Sequence, residues 1–197
     1  MLSDLEQPKT LKAQLTKNSL ILATASLLRT EGPASISYRK VAKLAGTASS
    51  SVGYHFESLD ELLEEAARYN MHLWIKRARR IADIAEGQEK GINVGECAEL
   101  LIRACLPDES ESLSAHYLQL ILASESKLVT TVYKNSRSEL EDQVQRILDV
   151  AKIGVTPRLV YAVIDGAAIA CLSENRSLHK FEFNMLKEIL SSAALKS

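Results

Sequence analysis

Cysteine is scarce in this chain of 197 residues: Cys97, Cys105 and Cys171, odd in number and without a CxxC. That excludes a disulfide framework and leaves reduced core thiols, which suit a reducing cytoplasm. Glycine (8) and proline (4) are also few, too few for the turns of an all-β sandwich or barrel. The plentiful Leu, Ala, Glu, Lys and Ser favour helices instead. No excess of either charge is present, since 24 Lys and Arg face 25 Asp and Glu. A uniformly basic nucleic-acid coat protein is excluded, while a local basic surface is not. Long apolar runs are missing as well. The most apolar stretch, Leu159 to Leu172, is too short to span a bilayer and contains Asp165. MLSDLEQPKTLKAQLTK lacks the apolar core of an export signal. Hydrophobic residues at 46% and charged residues at 25% are ordinary for a folded protein. The expectation is a soluble cytoplasmic protein with no membrane partner.

Helical periodicity runs through most of the chain. Residues 1–14 read as a flexible polar arm containing Pro8. From Lys17 the apolar residues Leu20, Ile21, Ala23, Leu27 and Leu28 fall at helical intervals, and Gly32-Pro33 stops them. Ser37 caps a short helix that Gly46 ends. One more short helix fits before Phe56. Ser58 with Glu61 has the spacing of a capping box and opens a long helix to Glu86, with Leu62, Ala66, Leu73, Trp74 and Ile81 on its apolar stripe. GQEKGINVG reads as a loop. Five helices follow: about 96–106, where Pro107 and Asp108 interrupt; about 110–124; one through Leu128 to Leu148 with an expected break near Asn135 and Ser136; one opened by Thr156 and Pro157; and one over about 180–195. The predicted class is all-α, with nine helices.

Charge divides unevenly along the chain. Residues 1–57 carry seven Lys or Arg against four Asp or Glu, and the remainder 17 against 21. A small basic end on a larger acidic body points to contact with a polyanion. Within that end, Ala42 is small enough for a second helix to cross closely, and Gly46 permits a tight turn. Val41, Ala45 and Val52 would close the pair onto Leu27 and Leu28. The stretch ILATASLLRTEGPASISYRKVAKLAGTASSSVGYHFESLDELL (residues 21–63) resembles the DNA-binding domain of the TetR/AcrR family of bacterial transcriptional regulators. The resemblance rests on Gly32, Ser37, Val41-Ala42, Ala45-Gly46, Tyr54-His55-Phe56 and the Ser58-x-x-Glu61-Leu62 segment, about a quarter of the chain.

The resemblance implies a three-helix DNA-binding head (1–57) and a six-helix effector-binding and dimerisation body (58–197). It also implies a homodimer through the last two helices, about 156–173 and 180–195, and a pseudo-palindromic operator released by a small molecule. Such a protein is a repressor rather than an enzyme, and needs no cofactor. The implied DNA-contact set is Lys17, Ser37, Tyr38, Arg39, Lys43, Thr47, Ala48, Ser49, Ser50, Ser51, Tyr54 and His55. The three serines lie on the recognition helix, where each hydroxyl either meets DNA or simply opens the helix. Phe56 reads as a core wedge. Three positions depart from the family pattern. Ala48 replaces a serine cap unless Thr47 or Ser49 substitutes, Gly53 replaces an aromatic residue, and Leu59 replaces a lysine. Effector contacts are expected among Trp74, Arg103, His116, Tyr117 and Tyr133, around an apolar or amphipathic molecule.

Other features have plainer readings. Lys76, Arg77, Arg79 and Arg80 read as a solvated helix face. The apolar segment 159–172 suits a helix covered by its own body on one side and by a partner on the other, with Asp165 and Gly166 marking a close crossing. His72, His116 and His179 show no metal-ligand spacing. The rival functions are a helical adaptor that keeps the head as a scaffold, and an enzyme acting on a small molecule. The latter lacks any paired acid and base.

Overall fold

The computed structural model describes residues 11–107, 112–176 and 178–194, with the side chains of residues 178 and 179 excepted. Expectations for the arm residues 1–10, for Asp108, Ser110 and Leu195, and for the His179 side chain lie outside the described residues. Among the described residues the chain forms nine α-helices, two short 3-10 turns and no strand, so the class is all-α. The helices are α1 (Leu11–Glu31), α2 (Tyr38–Ala45), α3 (Ser49–His55), α4 (Leu59–Glu86), α5 (Val94–Cys105), α6 (Leu113–Leu122), α7 (Lys127–Ala151), α8 (Pro157–Glu174) and α9 (Leu178–Ala194).

Local chemistry sets most of the helix starts. Ser37 is extended and its Oγ accepts the Lys40 N–H at 3.4 Å. Ser58 Oγ accepts the Glu61 N–H at 3.1 Å, while the Glu61 carboxylate accepts the Glu57 N–H at 2.7 Å. That is one residue earlier than the reciprocal bond of a full capping box. Thr156 accepts the Leu159 N–H with Pro157 in the first turn.

Three starts or breaks differ from the sequence reading. The first helix begins at Leu11 rather than Lys17. LKAQLT contains strong helix formers and no breaker, and Leu11 and Leu15 stay exposed, so propensity rather than packing extends it. The segment read as a loop ends in a complete capping box: Asn93 Oδ1 accepts from Gly95 and Glu96 N–H, and Glu96 accepts from Asn93 N–H at 2.8 Å. The expected break in α7 is absent. Leu140, Val144, Ile147 and Leu148 continue one buried stripe beyond Asn135 and Ser136, and packing outweighs the weaker propensity there.

The chain divides into two compact units, Met1–Asn70 with Ile121–Val132, and Met71–Leu120 with Tyr133–Ser197. In the first, α1, α2 and α3 pack on one another and bury Leu20, Leu27, Leu28, Val41, Ala42, Val52 and Phe56. Ala45 is half-buried. Gly32 has φ +77°, and a Cβ there would meet Leu122 Cβ and Cδ1 at 2.9 Å. Asn70 is buried, but both ends of its amide are used: Nδ2 donates to Ala25 O at 3.1 Å and Oδ1 accepts from Arg29. In the second unit, α5, α8 and α9 pack together, with Leu101, Ile164, Leu186 and Leu190 fully buried. The three thiols are free; Cys97 and Cys171 are buried and Cys105 half-buried. Burial pushes the Cys97 thiol up to about 12.

Candidate functional site

The turn between α2 and α3 shows why this sequence presents a helix outward. Gly46 takes the left-handed conformation (φ +67°). The N–H groups of Gly46 and Thr47 turn back onto the carbonyls of Lys43 and Ala42, the double hydrogen bond of a Schellman motif. Helix α3 then anchors through one buried residue, Val52. Ser49, Ser50, Gly53 and Tyr54 are exposed, while Ser51 and His55 are half-buried. Tyr54 is 81% exposed, held edge-on against the His55 ring with centroids 4.9 Å apart. An aromatic side chain left so open on a short helix is available to a partner.

The remaining DNA-contact candidates fall into two groups. Ser37, Arg39 and Lys43 are exposed, and Arg39 and Lys43 make no ion pair among the described residues. Lys17 instead lies with Nζ 5.0 Å from the centroid of the Phe56 ring, and Phe56 is buried. Its charge is partly engaged in a cation–π contact. Tyr38 and Thr47 are half-buried and Ala48 is exposed. Lys40, absent from the candidate set, is paired with Glu31. Ala48 is the N-cap of α3 and makes no side-chain cap bond; neither neighbour substitutes, because the Thr47 hydroxyl donates to Ala48 O at 3.1 Å.

The second unit contains a cavity of about 80 Å³. Trp74, His116 and Tyr133 line it, with the indole 4.9 Å from the His116 ring and 5.8 Å from the Tyr133 ring. Tyr133 Oη accepts from Gln119 Nε2 at 2.9 Å. Tyr117 stands behind the wall and donates its hydroxyl to Asp165 Oδ1 at 3.0 Å. Arg103 is exposed and does not line the cavity, because α5 turns Leu101, Ile102 and Ala104 inward.

Several wall residues escaped the sequence reading. Arg77 was grouped with a solvated basic face; Lys76, Arg79 and Arg80 are exposed, but Arg77 is half-buried and reaches the cavity. Asp165 also faces it, and Gly166 is exposed with nothing within 4 Å of an added Cβ. The expected close crossing at that pair is therefore not made within the chain. Arg137 and Tyr161 complete the polar wall, the guanidinium carbon 3.7 Å from the ring centroid. The signal was present: Trp74 with Arg77, Tyr133 with Arg137, and Tyr161 with Asp165 are pairs at i,i+3 or i,i+4, each sharing one helix face.

Burial shapes the charge of this wall. It lowers the His116 imidazole to about 4, assisted by Arg77, so the ring is neutral at physiological pH. It raises the Asp165 carboxyl, against the opposing hydrogen bond from Tyr117 and the Arg137 charge. It raises the Tyr161 phenol as well, which remains a proton donor. Among the described residues no group of three His, Cys, Asp or Glu side chains could hold a metal ion. Nor is any helix there long and apolar enough to cross a membrane.

Comparison with known proteins agrees with this arrangement. Residues 20–66 match the family description "Bacterial regulatory proteins, tetR family". Among solved structures, a TetR transcription regulator from Haloarcula marismortui superposes with a TM-score of 0.62 at 16% identity, covering 92% of this chain and 97% of that one. The multidrug binding protein EbrR, complexed with imidazole, gives 0.59 at 21% identity over 90% and 93% of the two chains. SmeT in complex with triclosan gives 0.61 at 15% identity over 90% of each. No curated protein matches the sequence. The N-terminal segment thus matches the tetR family of bacterial regulatory proteins, and the chain shares the fold of these solved regulators over nine-tenths of its length.

Proposed function

We propose that the protein is a ligand-responsive repressor that binds a pseudo-palindromic operator as a homodimer in the cytoplasm and is released by a small molecule. Residues 1–57 would form the DNA-binding head and residues 58–197 the effector-binding and dimerisation body; no catalytic step belongs to this reading. The observation that carries it is the outward face of α3, with Ser49, Ser50 and Tyr54 exposed beside the exposed Ser37, Arg39 and Lys43. Short hydroxyls reach base edges or phosphates, and two unpaired cations displace counterions.

Dimerisation is supported by what α8 and α9 leave uncovered. Leu159, Ile169 and Leu172 on α8 and Met185 on α9 are exposed, and Gly166 between them offers open space for a close approach. A partner copy would bury this apolar face, and a two-fold dimer matches a palindromic site. EbrR and SmeT are seen with small ligands, which supports a similar role for the cavity here. The ligand would favour a body conformation that holds the two heads at the wrong separation for the operator.

The test is selection of bound sequences from random duplex DNA, followed by titration of the enriched site. Arg39→Ala and Tyr54→Ala should each weaken binding roughly tenfold while leaving the helical circular dichroism unchanged. Native affinity in both variants, or a monomer at the concentrations that bind DNA, would overturn the proposal.

A further inference from the structure

We infer that the cavity of the second unit takes a small aromatic carboxylate, its anionic end met by Arg77, Arg137 and the Tyr161 hydroxyl, and its ring by Trp74 and Tyr133. This rests on the reading of that cavity as the effector site, and narrows the apolar or amphipathic molecule expected from the sequence to an amphipathic anion.

Charge is the first argument. Arg77 and Arg137 both line the space, and His116 beside them is neutral. Asp165 is the one acid among the described lining residues, and its Oδ1 already accepts from Tyr117. Ionised or protonated, Asp165 leaves the lining net positive. Glu182, nearby on α9, does not line the cavity; burial, then Asp165, pushes its carboxyl up to about 8, so it is largely uncharged at neutral pH. A cationic guest would therefore face two guanidinium groups, of which Arg137 is shared with Glu141 at 3.6 Å.

An unmet donor is the second. Tyr161 is only 5% exposed, lines the cavity, and its hydroxyl is buried with no hydrogen-bond partner beyond the weak thiol of Cys105. A buried hydroxyl without an acceptor is disfavoured, and a carboxylate is the strongest acceptor a guest can bring. Guanidinium groups bind the same group through paired N–H donors. A neutral apolar guest would leave the Tyr161 hydroxyl with no acceptor better than that thiol.

Shape is the third. The tilted Trp74 and Tyr133 rings offer flat surfaces on which an aromatic ring packs. A volume of about 80 Å³ is below the roughly 150 Å³ that holds a bare benzene ring, so the guest is no larger than one ring with a short polar group and the wall has to give to admit it.

The chain contains a single tryptophan, and it stands in this wall, so its emission reports on the cavity alone. Full-length protein is titrated with benzoate, benzyl alcohol and benzylamine near neutral pH. Benzoate should change Trp74 emission saturably and bind at least about tenfold more tightly than the other two. Tyr161→Phe and Arg137→Gln should each weaken benzoate by about tenfold, with Arg137→Lys recovering part of the loss; Tyr161→Phe removes one oxygen and guards against misfolding as the cause. Benzylamine binding as tightly as benzoate, no emission change with any probe, or unchanged benzoate affinity in both variants would overturn the assignment. Operator binding is measured in parallel. Benzoate that binds without releasing DNA upholds the anion site and overturns the release mechanism. Benzylamine that binds more tightly than benzoate and releases DNA does the reverse.

Discussion

Gly32 is constrained twice, by a positive φ and by Leu122 pressed to where a Cβ would stand. Gly46 has the first constraint without the second, since nothing lies within 4 Å of its Cβ position. Gly46→Ala should therefore lower stability by about 1 kcal/mol, the cost of a left-handed alanine. Gly32→Ala should lower it by roughly 2–3 kcal/mol, through strain and displacement of Leu122. Urea unfolding of both variants measures the difference; equal losses would mean that Leu122 yields freely. The sequence marks both glycines as helix ends, because positive φ is a local demand. It is silent on Leu122, whose approach depends on a segment far along the chain. The same limit hid Arg77, whose neighbours Lys76, Arg79 and Arg80 are all exposed and made it read as another surface charge.

At the scale of the element, α3 is the informative case. It is short, carries Gly53 inside it, and starts at Ala48 with no side-chain cap. Ala48→Ser should add about 1 kcal/mol to the stability of the fold, seen as a higher melting temperature. It should also tighten DNA binding by steadying Ser49 to Ser51. A variant that melts higher and binds DNA more weakly would show that an uncapped start is needed for contact. Helix starts were legible where one residue decides them, as at Ser37, Ser58 and Thr156. Asn93 and Glu96 carried the same signal, but the glycines at 87, 91 and 95 drew the reading toward a loop. The unbroken α7 was not legible, because Asn135 and Ser136 are held helical by the buried stripe beyond them.

Across the whole molecule, buried ionisable groups oppose one another in pH. Both carboxylate oxygens of Glu182 are buried without a hydrogen-bond partner. Its folded value of about 8 lies above the ordinary 4.5, so its contribution is full below about 4.5 and is lost as pH rises through about 8. His116, lowered from 6.5 to about 4, acts in the other direction, its contribution being lost as pH falls through about 4. Glu182→Gln should raise the melting temperature by several degrees near pH 8 and flatten the alkaline decline. A slope unchanged by the substitution would place the loss elsewhere. The helical class, the turn and the outward α3 followed from local patterns; the polar cavity wall needed the packing of distant helices to assemble it. One consequence concerns transplanting specificity between relatives. The compact unit that holds α2 and α3 also contains Ile121–Val132, whose first residues flank the lid over Gly32 and meet the Pro33–Ser35 turn. A hybrid spliced within α4 would inherit α1 to α3 without that lid, so a working exchange has to carry two stretches of chain rather than one.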